Sequence, residues 1–153
     1  MSAQLSHGMS CVTPPVCVVL DTNIVLDLWL YQDPATPVLQ AALSDNTVQW
    51  LATQVMRDEL ERVLAYTHIV ARMAASGITA DHLLNRFDAY AQLMPIAAKA
   101  QFVCKDPDDQ KFIDLAAAHA AQLISKDKAV LTMRNRMARL GVAVARSFPA
   151  LLP

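Results

Sequence analysis

The chain has 153 residues, of which 54% are hydrophobic and 18% are charged, and its formal net charge is −1. This length suits one domain with its own hydrophobic core, and the low charge excludes both a disordered chain and a basic nucleic-acid-binding tail. No apolar stretch approaches the roughly 18 to 20 residues that cross a bilayer. The N-terminus has no signal-peptide pattern, so we expect a cytoplasmic protein.

The cysteines, histidines and glycines exclude several kinds of site. The three cysteines include no CxxC pair, and the four histidines have no metal-ligand spacing such as HExxH. The three glycines form no phosphate-binding loop, neither GxGxxG nor GxxxxGK. Disulfide frameworks, zinc chemistry, dinucleotide binding and P-loop chemistry are therefore not expected.

Residues 1–15 are polar and end in two prolines, which predicts a flexible leader before a domain over residues 16–153. The run Val16–Leu20 is apolar without alternation, as in a strand buried on both faces of a parallel sheet. Asp21 follows this strand at once. The carboxyl ends of such strands are where ligands bind, although Asp21 or Thr22 could also serve only to cap the next helix.

The next segment contains one acid in an unusual position. Its patterns predict helices over Ile24–Tyr31 and Pro37–Leu43, a strand over Val48–Leu51, and a helix over Gln54–Tyr66 that Thr53 caps. Glu59 lies at the edge of the apolar stripe of the last helix, and a carboxylate that leans towards a buried face needs a partner. That partner is either Arg57 or another base, or a bound cation.

The second half of the chain repeats the strand-then-acid pattern. The predicted elements are helices over His68–Ala75 and Asp81–Leu93, a strand over Phe102–Cys104, a helix from Pro107, a strand over Gln122–Ser125, a helix over Lys128–Leu140 and a strand over Val142–Ala145. Asp106, Asp108 and Asp109 follow the first of these strands, and Asp127 follows the second. Helix capping explains part of the first cluster, but three carboxylates within four residues repel one another unless a cation is present.

Alternating strands and helices predict an α/β/α sandwich with a parallel sheet. Because parallel strands end at one edge, Asp21, the cluster from Asp106 to Asp109, and Asp127 should meet there. Carboxylates without a nearby nucleophilic side chain suit hard cations such as Mg²⁺ or Mn²⁺. Sites of this kind commonly act on phosphates.

Three segments of the chain resemble the PIN domain family, in particular the group assigned to bacterial toxin–antitoxin modules. They are VVLDTNIVLDL (Val18–Leu28), ATQVMRDELERVL (Ala52–Leu64) and CKDPDDQKFIDLAAAHAAQLISKDKAVL (Cys104–Leu131). The resemblance implies a Rossmann-like, three-layer α/β/α fold with a five-stranded parallel sheet. It also implies a ribonuclease that depends on Mg²⁺ or Mn²⁺.

The resemblance assigns roles to particular residues. The family's four acids match Asp21, Glu59, Asp109 and Asp127, which are the implied metal ligands and catalytic residues, with Asp106 and Asp108 as rivals for the third position. Asn23 and Ser125 match positions that assist the ligands through hydrogen bonds, and Asp106 is a further supporting candidate. The resemblance also implies a homodimer and a small antitoxin partner with a basic or apolar segment.

A basic face is predicted beside the site. Lys126, Lys128 and Arg134 lie with two further arginines around the single acid Asp127, and they could bind RNA phosphates or could form only a solvated surface. Two other functions share the same acids. One is a PIN-like module that binds a cation or a protein without cleavage, and the other is a structure-specific DNA nuclease.

Overall fold

The computed structural model describes residues 14–149, and most of the predicted leader lies outside them. Five strands form one sheet: β1 (Val16–Leu20), β2 (Val48–Ala52), β3 (Ala91–Leu93), β4 (Gln122–Ile124) and β5 (Val144–Ala145). All neighbouring strands are parallel, in the order β3-β2-β1-β4-β5. The predicted α/β fold with a five-stranded parallel sheet is therefore confirmed, with β1 at its centre.

Helices connect the strands and cover the sheet. They are α1 (Thr22–Leu26), which continues into a π-helical turn (Asp27–Tyr31), α2 (Pro37–Ser44), α3 (Gln54–Val63), α4 (Thr67–Ser76), α5 (Ala80–Tyr90), α6 (Gln110–His119), α7 (Lys128–Leu131) and α8 (Arg134–Ala138). Val18 and Val19 of β1 point to opposite faces, and both are fully buried, so the sheet is covered on both sides. None of the helices among residues 14–149 is long and apolar enough to cross a membrane.

The prediction of the third strand was wrong. The chain pairs with β2 through Ala91–Leu93, whereas the predicted helix over this segment already ends at Tyr90. The apolar run Phe102–Cys104 is irregular instead. The Gln110 side chain donates to the Phe102 carbonyl at 3.1 Å and accepts from the Cys104 N–H at 2.6 Å, so it satisfies backbone groups that a strand would pair.

Two elements around the site also differ from the prediction. Asp106 to Asp109 do not follow a strand, because Asp106 caps a 3₁₀ turn (Pro107–Asp109) that leads into α6. The helix predicted over Lys128–Leu140 is two short helices, α7 and α8, because the chain turns at Thr132, whose hydroxyl donates to the Ala129 carbonyl at 3.0 Å.

Candidate active site

Asp21 lies at the carboxyl end of the central strand. Its N–H donates to the Ile124 carbonyl at 3.0 Å, which continues the pairing of β1 with β4. Only 5% of its surface is exposed. Its side chain makes no capping bond to α1; its Oδ2 accepts instead from the Ser125 hydroxyl at 2.6 Å. The Asp21 carboxylate therefore faces the end of the sheet and is not used as a helix cap.

Ser125 connects the ends of β1 and β4. It is fully buried, donates its hydroxyl to Asp21, and accepts the Asp127 N–H at 3.0 Å. Asp127 in turn caps α7, because its Oδ1 accepts from the Ala129 N–H at 2.8 Å. One buried hydroxyl thus fixes the relative position of two carboxylates that are far apart in sequence.

Asp109 reaches the same place from the start of α6. It is 7% exposed, and its Oδ2 is buried without a hydrogen-bond partner among the described residues. Its two rivals lie otherwise. The Asp106 carboxylate accepts the Asp108 N–H at 3.0 Å as the cap of the turn, and Asp108 is exposed.

Asp21, Asp109 and Asp127 form one cluster, in which one carboxylate oxygen of each lies within 4.8 Å of the others. Burial raises the pKa of Asp21; repulsion from Asp127 and Glu59 adds to this, and hydrogen bonds from Ser125 and the Thr22 N–H oppose it. Burial, a hydrogen bond shared with Asp127, and repulsion by Asp21 raise the pKa of Asp109 to about 8. Asp21 and Asp109 therefore ionise less readily than ordinary aspartates unless a cation compensates their charge.

The cluster suits a hard divalent cation. It offers only carboxylate oxygens, and the orphaned Asp109 Oδ2 is a buried acceptor that a cation would satisfy. Three carboxylates leave room in an octahedral shell for water or substrate oxygens, which is the coordination that Mg²⁺ and Mn²⁺ prefer.

Glu59 lies beside this cluster but is not one of its three members. Its Oε2 accepts from the Thr22 hydroxyl at 3.1 Å, and its Oε1 forms an ion pair with the Lys111 ammonium, although the two do not align as a hydrogen bond. Arg57, the base first considered as its partner, pairs with Asp88 at 2.7 Å. Sequence reasoning anticipated a base near Glu59 but could not name Lys111.

Asn23 and Lys126 were also predicted as site residues, and neither belongs to the cluster of three. Asn23 is half-buried, and its Oδ1 has no hydrogen-bond partner among residues 14–149. Lys126 was predicted to bind RNA, but its ammonium pairs with Asp27 at 2.6 Å and with Asp33 at 3.1 Å. Its charge is thus already compensated within the fold, and its role in RNA binding stays a prediction.

Lys128 and Arg134 remain available on that face. Lys128 is exposed and forms no ion pair with any described residue. Arg134 is exposed, and its Nε–H donates to the Val144 carbonyl at 3.1 Å. This bond uses only the Nε–H and does not involve the two terminal nitrogens of the guanidinium.

A family model described as PIN domain matches residues 17–129. The chain belongs to the PIN domain family. The matched segment contains all three clustered acids and Glu59, and PIN domains are generally nucleases that use divalent metal ions. The comparison with curated proteins found no match. The acidic cluster at the carboxyl edge of the sheet is accordingly the candidate active site of a PIN domain.

Proposed function

We propose that this PIN domain is a divalent-metal-dependent endoribonuclease and the toxin of a toxin–antitoxin pair. The observation that carries the proposal is the convergence of Asp21, Asp109 and Asp127, with the buried and unpartnered Asp109 Oδ2. These residues hold the ion, and Glu59 adds to the negative rim. A bound Mg²⁺ or Mn²⁺ would polarise the phosphate and lower the pKa of an attacking water.

The chain's own residues prepare the site for that chemistry. Ser125 holds Asp21 at the edge of the sheet, and α7 holds Asp127 through its capping bond, so both ligands are oriented before substrate arrives. The hydroxyls of Ser125 and Thr22 donate to Asp21 and Glu59, and the nearby Cys104 thiol donates to the Ala129 carbonyl at 3.6 Å. All three side chains are buried, which favours direct attack by water over a covalent intermediate.

We expect RNA to bind at one face of the protein and with weak overall affinity. The net charge of −1 gives little non-specific attraction to phosphates. Lys128 and Arg134 form the exposed cationic face near Asp127. They are suited to hold a single-stranded backbone while the scissile phosphate approaches the carboxylates.

The proposal extends to partners and to location. Val55 and Ile96 are exposed apolar side chains that line a hollow of about 120 Å³ together with Lys111, next to Glu59. A small antitoxin with an apolar segment and a basic residue would suit this neighbourhood of apolar surface and acids. A homodimer and a cytoplasmic location complete the proposal.

The decisive experiment is a cleavage assay with a labelled single-stranded RNA in Mn²⁺. We expect the wild type to cut internally and Asp21→Asn to lose activity by about 100-fold or more, because charge stabilisation by the ion is worth several kcal/mol. Flap DNA is offered in competition with the RNA. Preferential cutting of the flap would replace RNA by DNA as the substrate. Binding of Mn²⁺ and RNA without any cleavage would identify an inactive binding module instead.

A further inference from the structure

The carboxylates around the candidate site are partnered in two different ways. Asp109 has a buried oxygen without a hydrogen-bond partner among the described residues, and it belongs to the cluster of three. Glu59 has both oxygens engaged, one by the Thr22 hydroxyl at 3.1 Å and the other by the Lys111 ammonium. Among the described residues, an ion pair therefore supplies Glu59 with a cation, whereas none supplies the cluster of three.

The Lys111 ammonium is fixed in place by more than Glu59. It donates to the Asp108 carbonyl at the start of α6, and it lies 4.8 Å from the centre of the ring of Phe112, which is fully buried. Both Lys111 and Glu59 have side chains that are 22% exposed. A cation with several fixed neighbours in a half-buried site is held more strongly than one in an exposed surface pair.

Lys111 also connects the helices that carry two of the predicted acids. Glu59 belongs to α3, whereas Lys111 lies in the first turn of α6, which begins directly after Asp109. The ion pair therefore holds α3 against the start of α6. Because the ammonium contacts Glu59 Oε1 and the Thr22 hydroxyl occupies Oε2, a metal ion that bound Glu59 would have to displace one of them or lie beside the ammonium.

We propose that the Lys111 ammonium takes the place of a second divalent cation at Glu59, so that the protein binds one ion, on Asp21, Asp109 and Asp127. This inference rests on the proposed function, because it concerns the same site. Glu59 is then a positioning residue that holds Thr22 and Lys111. A second divalent ion would have to enter beside an ammonium, whose like charge disfavours it.

The experiment counts bound Mn²⁺ by electron paramagnetic resonance of the free ion during a titration near pH 7.5. We expect one ion per chain for the wild type and for Lys111→Arg, which keeps the charge. Lys111→Met should bind two, and Glu59→Gln in the Lys111→Met background should return the count to one. The matched control is Lys99→Met, which removes the charge of an exposed lysine that pairs with no described acid and should leave the count at one.

Each result bears on the inference in a defined way. Two ions in the wild type, or one ion in a folded Lys111→Met, would overturn it. Lys111→Gln replaces Lys111→Met if that variant does not unfold cooperatively. A wild type that binds no Mn²⁺ would overturn the proposed function together with this inference, whereas one ion that is lost in Asp21→Asn supports both.

Discussion

The Ser125 hydroxyl donates to Asp21 Oδ2 at 2.6 Å from a fully buried position at the end of the neighbouring strand. The Ser125 Oγ also accepts the Asp127 N–H at 3.0 Å. This single side chain therefore controls the spacing of two of the three carboxylates in the cluster. Neither bond can be replaced by solvent, because Ser125 is inaccessible.

Ser125→Ala should weaken metal binding more than its small change in volume suggests. The substitution leaves Asp21 Oδ2 and the Asp127 N–H without their partner, and loss of such a supporting contact typically costs about 10- to 100-fold in metal affinity. We also expect the free energy of unfolding to fall by about 1 to 3 kcal/mol. Calorimetric titration with Mn²⁺ and urea denaturation measure the two effects.

The control for this variant is Ser44→Ala. Ser44 is exposed at the end of α2, and its loss should change neither quantity. Wild-type Mn²⁺ affinity in Ser125→Ala would mean that Asp21 does not need this hydrogen bond to hold the ion.

Without metal, the protein should become less stable as the pH rises. The pKa of Asp109 is raised to about 8 and that of Asp21 is also raised, mainly by burial in both cases. Above the ordinary aspartate pKa the unfolded chain has released these protons while the folded chain still holds them. The free energy of unfolding in chelator should therefore decrease from about pH 5 to pH 8.

Asp109→Asn isolates this effect. The variant should lack most of the decrease, and at pH 8 in chelator it should be more stable than the wild type by about 1 to 3 kcal/mol. In Mn²⁺ the order should reverse, because only the wild type gains from the ion. Asp81→Asn, at an exposed acid in α5, should follow the wild-type profile. A wild-type profile for Asp109→Asn would contradict the raised pKa.

The sequence predicts the central strand because a short apolar run without alternation indicates a strand buried on both faces. The run from Val16 to Leu20 is apolar throughout and ends at an acid, and both valines at its centre are fully buried in β1. Since β1 and β4 are parallel neighbours, Asp21 and Asp127 lie at one edge as expected. Short-range patterns and the rules of parallel sheets were sufficient for these features.

The third strand has no comparable signal. β3 has only three residues at the edge of the sheet; Gln92 and Leu93 are exposed, so no buried pattern distinguishes it from the end of α5. Phe102–Cys104 is more apolar, but a glutamine side chain satisfies its backbone. The error arose because tertiary contacts decided which of two short segments joined the sheet.

The charge pairs could not be predicted for a related reason. Lys111 lies far from Glu59 in sequence, as Lys126 does from Asp27, and each pair forms only when separate elements pack together. The choice of Asp109 over its neighbours likewise came from resemblance to the family. In the structure the physical basis is visible, because Asp106 caps the turn and Asp108 faces solvent.

Lys126→Met should destabilise the fold. Asp27 is 6% exposed, and its side chain pairs with Lys126 at 2.6 Å, so the substitution leaves a buried carboxylate without its cation. We expect a loss of about 2 to 4 kcal/mol in the free energy of unfolding, since removing one partner of a buried pair is costly. Urea denaturation measures the loss.

Two further variants test the cause of this loss. Asp27→Asn in the Lys126→Met background should recover part of the stability, because the uncompensated charge is gone. Lys128→Met should change the free energy by no more than about 0.5 kcal/mol, as expected for an exposed side chain without an ion pair. Equal losses for Lys126→Met and Lys128→Met would show that the buried pair is not the reason.

RNA affinity should depend on Lys128 and not on Lys126. Lys128 is exposed without an ion-pair partner in the described chain, whereas Lys126 is bound to Asp27 and Asp33. In the Asp21→Asn background, where cleavage is suppressed, Lys128→Ala should weaken binding of single-stranded RNA. It should also reduce the slope of log affinity against log salt by about 0.7, which corresponds to one lost phosphate contact.

Fluorescence anisotropy at several salt concentrations measures both the affinity and the slope, with Lys99→Ala, at another exposed lysine, as the control. An unchanged slope for Lys128→Ala would exclude this face as the path of the RNA, because a residue that neutralises a phosphate must release a counterion when it binds.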